Sequence, residues 1–342
     1  MVGIDKLVEK VRSKAEETSF SGAVSIFNDD KPLYEEAFGY ADIAEKRCNN
    51  INTRFAIASG TKFFTALGIG TLIDRGSLSL NTTVKEIFGK ELSYVDSHAT
   101  IANLLSHTSG IYDYYDEELD IDCEDFFVDI PWFQLETPVD YLPLFEGKLP
   151  KFNPGERYSY SNGGYVFLGI ILERITGQLY RDYIHEHVFT PAGMNDSGFF
   201  SFTQLPENTA WGYKPNKDGT FNTNIYNLPI RGASDGGMYT TVGNIHRVWK
   251  SFLGYGILSE KLTDNYLTPH AVINDRFRYG FGVYMRKHPD MDMVFFGGGD
   301  AGVGFDSRYI WKKNLGFTVV SNITDGEEQI RKVILDYLEG NP

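Results

Sequence analysis

The spacing of apolar residues predicts helices at both ends of the chain. Near the N-terminus they recur every three or four positions and form one face of a helix that ends near Glu17. The same kind of spacing predicts helices over 242–253 and over 325–338, the last of them amphipathic. The residues of the N-terminal face are Ile4, Leu7, Val8, Val11 and Ala15.

Runs of β-branched and aromatic residues, bounded by turn residues, predict strands. A hairpin is expected over 22–27 and 33–38, around a turn at 28–32. Strand character returns in the last third of the chain, where successive antiparallel strands are expected. These later segments are 237–240, 279–285, 293–296, 303–311 and 316–321.

The middle of the chain has a different character. Residues 77 to about 226 are mostly helical in pattern, although 112–150 mixes aromatic, acidic and proline residues and is expected to be a covering loop region. We therefore predict an α/β (α+β) fold, with an antiparallel sheet flanked by helices and an inserted, mostly helical lobe. The sheet lobe would comprise 1–76 and 230–342, the helical lobe would comprise 77–229, and a cleft would lie between them.

Composition argues against some classes of partner. The 342 residues carry a formal net charge of -14, whereas nucleic-acid and anionic-membrane surfaces need clustered Lys and Arg. Cys48 and Cys123 lie in unrelated segments without metal-type spacing, so both are expected to be free thiols. The sequence shows neither a signal-peptide core nor the ~20 apolar residues of a membrane span, so we expect a cytoplasmic protein. We also expect a monomer or a simple homo-oligomer.

The first candidate for chemistry is a serine that opens a helical pattern. The pattern runs to about Arg75, where Gly76 follows as a stop, and it puts Ser59 at the helix N-terminus. Lys62 lies one turn away on the same face. A serine hydroxyl is a good nucleophile only when a neighbour takes its proton, and a lysine does this only when its pKa is lowered. Alone, the pair is more typical of a helix N-cap followed by a surface lysine.

Two further stretches supply candidate groups for the same reaction. Tyr160 and Asn162 are two apart on a loop before an apolar helix, so both can point into a cleft. The tyrosine could shuttle protons and the asparagine could bind a substrate carbonyl, although a buried tyrosine and a helix N-cap are open alternatives. Glycines at 297–299 could turn free amides toward a substrate oxyanion, with a bulged strand or tight turn as the alternative.

Together these stretches resemble the serine β-lactamase and penicillin-binding-protein superfamily. The resemblance is to its class C β-lactamase-like branch, with DD-peptidases, D-aminopeptidases and family VIII carboxylesterases, and it covers roughly 22–338. Ser59 to Lys62 matches the S-x-x-K motif, and Tyr160 to Asn162 matches Y-x-N. The resemblance implies that Ser59 attacks an acyl carbon, that Lys62 and Tyr160 share proton transfer, and that Asn162 positions the substrate. It also implies an oxyanion hole from the amides of Ser59 and Gly299, with no metal or cofactor.

The third motif of the superfamily is altered in this chain. Relatives have K-T-G or H-x-G, and a gap-free count from the strand at 315–317 puts Phe296, Gly297 and Gly298 there, so the basic residue is missing. Phe296 and Gly297 to Gly299 are expected to line the substrate site. Because the missing cation would orient a substrate carboxylate, its loss favours a small neutral ester or amide. The alternatives are a β-lactam, a D-alanyl-D-alanine peptide or another D-amino-acid-type substrate. A second hypothesis is a catalytically silent relative that binds a ligand in the cleft.

Other patterns are expected to have no catalytic role. Gly232 to Gly236 fits G-x-S-x-G, but a nucleophile elbow needs a strand before it and a helix directly after it. His185 and His187 are two apart on a predicted helix, so they point to different faces and are poor joint metal ligands. His107 is expected to cap a helix or to fill a hydrogen-bonding role in the core.

Overall fold

An eight-stranded antiparallel sheet runs through the computed structural model, which describes residues 3–119, 122–288 and 291–340. Strands are numbered along the chain. In order across the sheet they are Pro32–Phe38 (β2), Gly22–Phe27 (β1), Leu315–Ser321 (β14), Val303–Ile310 (β13), Met293–Asp300 (β12), Tyr284–Arg286 (β11), Phe277–Tyr279 (β10) and Ala271–Val272 (β9). Three smaller pairs are Tyr40–Asp42 (β3) with Arg47–Cys48 (β4), Phe55–Ala56 (β5) with Tyr239–Thr240 (β8), and Tyr213–Pro215 (β6) with Phe221–Thr223 (β7).

The helices pack on both faces of the sheet and form a separate cluster in the middle of the chain. The α-helices are Ile4–Glu17 (α1), Thr61–Asp74 (α2), Val84–Phe88 (α3), Ile101–Leu105 (α4), Asn162–Thr176 (α5), Tyr180–Ile184 (α6), Thr190–Ala192 (α7), Val242–Leu253 (α8), Glu260–Tyr266 (α9) and Glu328–Glu339 (α10). A one-turn 3-10 helix, Ala58–Gly60, precedes α2. Within the described ranges, no helix is long and apolar enough to cross a bilayer.

Alternation along the strands divides the apolar side chains between two cores. In β1, Val24 and Ile26 join a smaller core with α1 and α10, whereas Ala23 and Phe27 face a larger core that contains α2 and α8. The larger core continues into the helical region of the middle segment. Helix α2 is buried continuously from Thr61 to Leu72, which explains why its sequence is apolar all round. It is the element around which both parts of the fold pack.

The predicted fold class is confirmed, and so are the terminal helices and the first hairpin. Two details were wrong. The expected strand at 279–285 is the β10–β11 hairpin, because the chain turns at Gly280 to Gly282 and Gly282 has a φ of +75°. The expected helical stretch at 77–226 contains the β6–β7 hairpin. The division into two lobes remains a prediction, and residues 1, 2, 341 and 342, at its outer limits, lie outside the described residues.

Candidate active site

Ser59 lies in the 3-10 turn that joins β5 to α2. The preceding residue, Ala58, has a φ of +44°, a left-handed conformation that is uncommon for a non-glycine residue. Its carbonyl accepts hydrogen bonds from the Thr61 hydroxyl at 2.7 Å and from the Gly237 amide at 3.2 Å. These bonds hold the turn in the conformation in which Ser59 lines an open cleft.

Lys62 lies one turn further on, and its ammonium group points back to Ser59. Lys62 is 2% exposed, and its Nζ lies 2.9 Å from the Ser59 Oγ. The same nitrogen donates to the Asn162 Oδ1 and to the Asp235 carbonyl, each at 2.7 Å. The structure therefore brings Ser59, Lys62 and Asn162 into one hydrogen-bonded group, as their motifs suggested.

The environment of Lys62 acts on its proton affinity in two opposing ways. Burial lowers the pKa of the Lys62 amine, because the charged form loses its hydration. Nearby carboxylates, Asp235 and Glu117 foremost, oppose this shift, yet the net pKa still lies below the ordinary value. The lowered pKa increases the fraction of neutral amine that can accept a proton from Ser59.

Asn162 begins helix α5, and the protein itself binds both ends of its side-chain amide. The Oδ1 accepts from Lys62, while the Nδ2 donates to the Tyr115 carbonyl at 2.9 Å. Asp113 holds this helix start in place by accepting from the amides of Asn162 and Gly163 at 2.8 and 2.9 Å. Sequence reasoning missed Asp113, which lies almost fifty residues before its partners. These contacts make Asn162 a positioning group for Lys62.

Tyr160 faces the same group from the loop before α5. Burial, and to a lesser extent the charge of Glu117, raises the pKa of the Tyr160 phenol well above the ordinary value, and a hydrogen bond with Ser59 partly offsets this shift. Buried His107 packs against the phenol, with ring centroids 4.5 Å apart, and its Nδ1 accepts from the Ser161 amide at 3.0 Å. The hydrogen-bonding role predicted for His107 is therefore confirmed, and it supports the loop that carries Tyr160.

The glycines of the third motif form the edge of β12 beside Ser59. Strand β11 pairs with β12 only at Met293 to Phe295, so the edge beyond this point faces the Ser59 turn. A Cβ on Gly298 would lie 2.5 Å from the Ser59 amide nitrogen, a distance that no real side chain tolerates. Gly297, Gly298 and Gly299 all line the open cleft. Glycine is needed here because the strand backbone approaches the turn so closely.

Phe296 does not line the cleft, and this expectation needs correction. It is 2% exposed and stacks on Phe63 of α2, with ring centroids 4.5 Å apart. Because side chains alternate along β12, its neighbour Phe295 faces the cleft instead and stacks on Tyr284. Phe296 is a core residue, so its ring cannot contact a substrate in the cleft.

Two spaces adjoin the Ser59 turn. The open cleft, of about 820 Å³, is bordered by Ser59, Tyr160 and Gly299 and continues along β12 toward the start of α10. The small cavity, of about 70 Å³, lies behind Ala58, Gly236 and Asp300. Most of its wall residues are aromatic or aliphatic, namely Tyr114, Tyr141, Phe200, Phe202, Leu228, Pro229, Ile230, Tyr239 and Val303. Three charged residues, Arg231, Asp235 and Asp300, also border it.

Ser234 and His187 have structural roles, although the backbone carbonyl of Asp235, within the G-x-S-x-G match, accepts from Lys62. Ser234 of the G-x-S-x-G match is fully buried and donates to the Val166 carbonyl at 3.4 Å, so it is a core residue. His187 binds Arg75, with 3.0 Å between its Nδ1 and a guanidinium nitrogen. Across the described residues, no three His, Cys, Asp or Glu side chains are grouped to hold a metal ion.

The chain matches a known protein family. The family model described as Beta-lactamase matches residues 7–338. Penicillin-binding protein 4* of Bacillus subtilis is 29% identical over 295 residues, which are 82% of this chain and 62% of that protein. The chain therefore spans less than two thirds of that relative's length.

Solved structures agree with this assignment. The crystal structure of a penicillin-binding protein from Bacillus halodurans aligns with a TM-score of 0.89 and 36% identity, covering 95% of this chain and 99% of that one. A D-amino acid amidase from Ochrobactrum anthropi aligns with a TM-score of 0.80 over 98% of this chain and 99% of its own, but at 20% identity it shows likeness of fold alone. The chain belongs to the β-lactamase family.

Proposed function

We propose that this protein is a serine hydrolase that cleaves a small ester or amide through an acyl-enzyme on Ser59. The observation that carries this proposal is the 2.9 Å contact between the Lys62 Nζ and the Ser59 Oγ in a buried environment. Burial lowers the pKa of Lys62, which suits a general base. The amidase among the structural neighbours is consistent with acyl transfer on this fold, although fold alone does not define a reaction.

In the proposed first half-reaction, the Ser59 Oγ attacks the acyl carbon while its proton passes to neutral Lys62. The carbonyl oxygen becomes an oxyanion, which the amides of Ser59 and Gly299 would stabilise. Collapse of this intermediate breaks the bond to the leaving group, which takes a proton from Lys62 by way of Tyr160. The products of this half-reaction are a free alcohol or amine and an ester on Ser59.

Water completes the cycle in the second half-reaction. The water oxygen bonds to the acyl carbon while its proton passes, by way of Tyr160, to neutral Lys62. The bond between the acyl carbon and the Ser59 Oγ then breaks, Lys62 returns the proton to this oxygen, and a carboxylic acid is released. The acyl group must remain bound while the leaving group departs and water enters. The small cavity therefore suits the acyl group, and the open cleft suits the leaving group.

A chromogenic short-chain ester tests the assignment. The parent should hydrolyse p-nitrophenyl butyrate, and Ser59→Ala should reduce the rate to the uncatalysed background. Ser25→Ala is a matched control, because Ser25 is a buried serine on β1 that lies outside the site. Equal rates for the parent and Ser59→Ala would show that Ser59 is not the nucleophile.

A ligand-binding relative without catalysis is the second candidate, and the missing basic residue of the third motif favours it. A fluorophosphonate probe distinguishes the two, because it reacts only with an activated serine. A stoichiometric adduct on Ser59, read by intact mass, would contradict the silent alternative. An unlabelled protein that also fails to hydrolyse the ester would contradict the hydrolase.

A further inference from the structure

The amine of Lys62 is held in place by two acceptors besides the nucleophile. Its Nζ donates at 2.7 Å both to the Asn162 Oδ1 and to the Asp235 carbonyl, and it lies 2.9 Å from the Ser59 Oγ. Because a lysine has a flexible stem and rotatable donors, these two acceptors determine where the amine lies relative to the serine. Any group that fixes the acceptors therefore acts on the proposed base.

Asp113 and Tyr115 fix the first acceptor, Asn162. The two carboxylate oxygens of Asp113 accept hydrogen bonds from the start of helix α5, one from the Asn162 amide at 2.8 Å and one from the Gly163 amide at 2.9 Å. The Tyr115 carbonyl accepts from the Asn162 Nδ2 at 2.9 Å. A side-chain amide that donates through its nitrogen to a carbonyl must present its oxygen on the other side, where Lys62 lies.

The chain at 112–113 packs directly against the first turn of α5. A Cβ on Gly163 would lie 2.5 Å from the Tyr112 carbonyl oxygen and 3.3 Å from the Asp113 Cα, so glycine is what permits this approach. Asp113 is only 4% exposed. Because close-packed interiors transmit displacement from one element to the next, a shift of this segment would move the helix start that carries Asn162.

Tyr114 fixes the second acceptor, Asp235. Its hydroxyl donates to the Asp235 Oδ2 at 2.5 Å, and Asp235 is 7% exposed. A hydrogen bond to a buried carboxylate is among the stronger kinds, because the acceptor is charged. The carbonyl that accepts from Lys62 belongs to the same residue. A carboxylate that moved to find another donor would therefore move this carbonyl as well.

We propose that residues 113–115 form a positioning segment for Lys62. Through Asn162 and Asp235, this segment directs the amine toward Ser59, although it belongs to neither the S-x-x-K nor the Y-x-N motif. The inference rests on the proposed function, because Lys62 acts as a base only in that reaction. Three consecutive residues that were expected to belong to a covering loop are thereby assigned to the alignment of the base.

Two variants remove single hydrogen bonds and keep the shape of the side chain. Tyr114→Phe removes the hydroxyl that binds Asp235, and Asp113→Asn replaces one accepting oxygen with an NH2 group. We expect each to lower kcat on p-nitrophenyl butyrate on the order of tenfold, because a displaced base loses its alignment with the nucleophile. Tyr112→Phe is the matched control, since the Tyr112 ring packs under the Lys148 ammonium, and it should keep the kcat of the parent.

A second background shows whether the effect passes through Lys62. Residues that act as a unit have non-additive effects on kcat. In Lys62→Met, which has no amine to position, Tyr114→Phe and Asp113→Asn should therefore lower the remaining activity by less than about twofold. A variant that merely reduced the folded fraction would lower the activity of the parent and of Lys62→Met by the same factor.

A comparison of acyl chains separates the hydroxyl of Tyr114 from its ring. The ring borders the small cavity, and phenylalanine retains it. Tyr114→Phe should therefore leave the ratio of kcat/KM for p-nitrophenyl butyrate and p-nitrophenyl octanoate unchanged while kcat falls. A changed ratio with an unchanged kcat on the butyrate would assign Tyr114 to the cavity wall alone and would contradict the positioning role.

The possible outcomes separate this inference from the proposed function. If the parent cleaves the ester and the variants keep its kcat, or lower that of Lys62→Met by the same factor, the positioning role is wrong and the hydrolase stands. If one variant does not fold, the other decides.

A measurement without turnover covers the case in which no ester is cleaved. The Cε resonance of Lys62 in the NMR spectrum of isotope-labelled protein is assigned by its absence in Lys62→Met. If Tyr114→Phe and Asp113→Asn shift this resonance and Tyr112→Phe does not, the positioning role stands although the hydrolase is wrong. A resonance that neither variant shifts would overturn the positioning role.

Discussion

The two spaces beside the Ser59 turn differ in size and in charge. The small cavity has about 70 Å³ and mainly apolar walls, whereas the open cleft has about 820 Å³ and is bordered by six carboxylates of the described residues. A buried apolar wall recognises shape, because overpacking costs free energy, and a charged wall recognises charge. The proposed assignment of the acyl group to the small cavity and of the leaving group to the open cleft therefore predicts that acyl size and leaving-group charge are selected separately.

Removing the amine of Lys62, the proposed base, should have the largest effect on activity. Lys62→Met retains an unbranched side chain but cannot accept a proton from Ser59. We expect kcat on p-nitrophenyl butyrate to fall on the order of 10³-fold, a typical contribution of a general base. Lys10→Met, at an exposed position of α1, is the control and should retain full activity. A Lys62→Met protein that keeps most of the activity would exclude Lys62 as the base.

The size limit of the small cavity can be measured with a series of acyl chains. A cavity of about 150 Å³ accommodates benzene, so about half that volume suits a chain of only a few carbons. We expect kcat/KM for p-nitrophenyl octanoate to lie about tenfold or more below that for the butyrate, because the long chain overpacks the cavity.

A variant that enlarges the cavity sharpens this test. Ile230 borders the small cavity, so Ile230→Ala should narrow the gap between octanoate and butyrate. Ile51, which is 40% exposed, provides the control Ile51→Ala. If the parent prefers octanoate, the acyl group does not occupy this cavity.

The charge of the cleft should also govern selectivity against anions. We expect p-nitrophenyl butyrate to be turned over with a higher kcat/KM than nitrocefin, whose carboxylate the cleft repels. Asp325→Asn/Glu327→Gln should narrow this gap several-fold, because it removes the repulsion. Phe296→Leu should lower the melting temperature and leave the gap unchanged, because Phe296 packs in the core against Phe63. If Phe296→Leu changed the ratio of kcat/KM for the two substrates and Asp325→Asn/Glu327→Gln did not, the assignment of selectivity to the acidic residues would be wrong.

The smallest predicted effect is a dependence of stability on pH. Burial raises the pKa of Glu327 to about 7, above its value in the unfolded chain, so the folded state binds more protons between these two values. The stability contributed by Glu327 is therefore fully present below pH 4.5, is lost progressively as the pH rises to about 7, and is almost entirely lost at pH 8. We expect the drop in melting temperature from pH 6 to pH 8 to be smaller in Glu327→Gln than in the parent. An equal drop would place the pKa of Glu327 outside this range.

Local patterns predicted the parts of the site that depend on short spacings. Ser59 and Lys62 share a helix turn, and Asn162 begins the next long helix, so their directions follow from helix geometry. The face of the sheet to which Phe296 belongs was not predictable, because one residue of register reverses every side chain of a strand. The gap-free count placed the third motif on the correct strand. It did not show that Phe296 faces the core and not the cleft.

The acidic wall of the open cleft could not be predicted at all. Glu117, Asp325 and Glu327 come from segments some two hundred residues apart, and nothing in either segment marks the other as its neighbour. Such contacts depend on how the middle segment packs over the sheet. The hairpin at 277–286 was missed for a local reason, since Gly280 and Gly282 permit a reversal that the surrounding strand-forming residues concealed.

The most direct test of the account is the mass of the protein during turnover. When the parent is mixed with p-nitrophenyl butyrate and quenched in acid within the first turnovers, intact mass spectrometry should show the addition of one butyryl group, and peptide mapping should locate it on Ser59. Ser59→Ala should show no addition under the same conditions. Turnover of the ester with no adduct on Ser59, or with an adduct on another residue, would contradict the proposed acyl-enzyme.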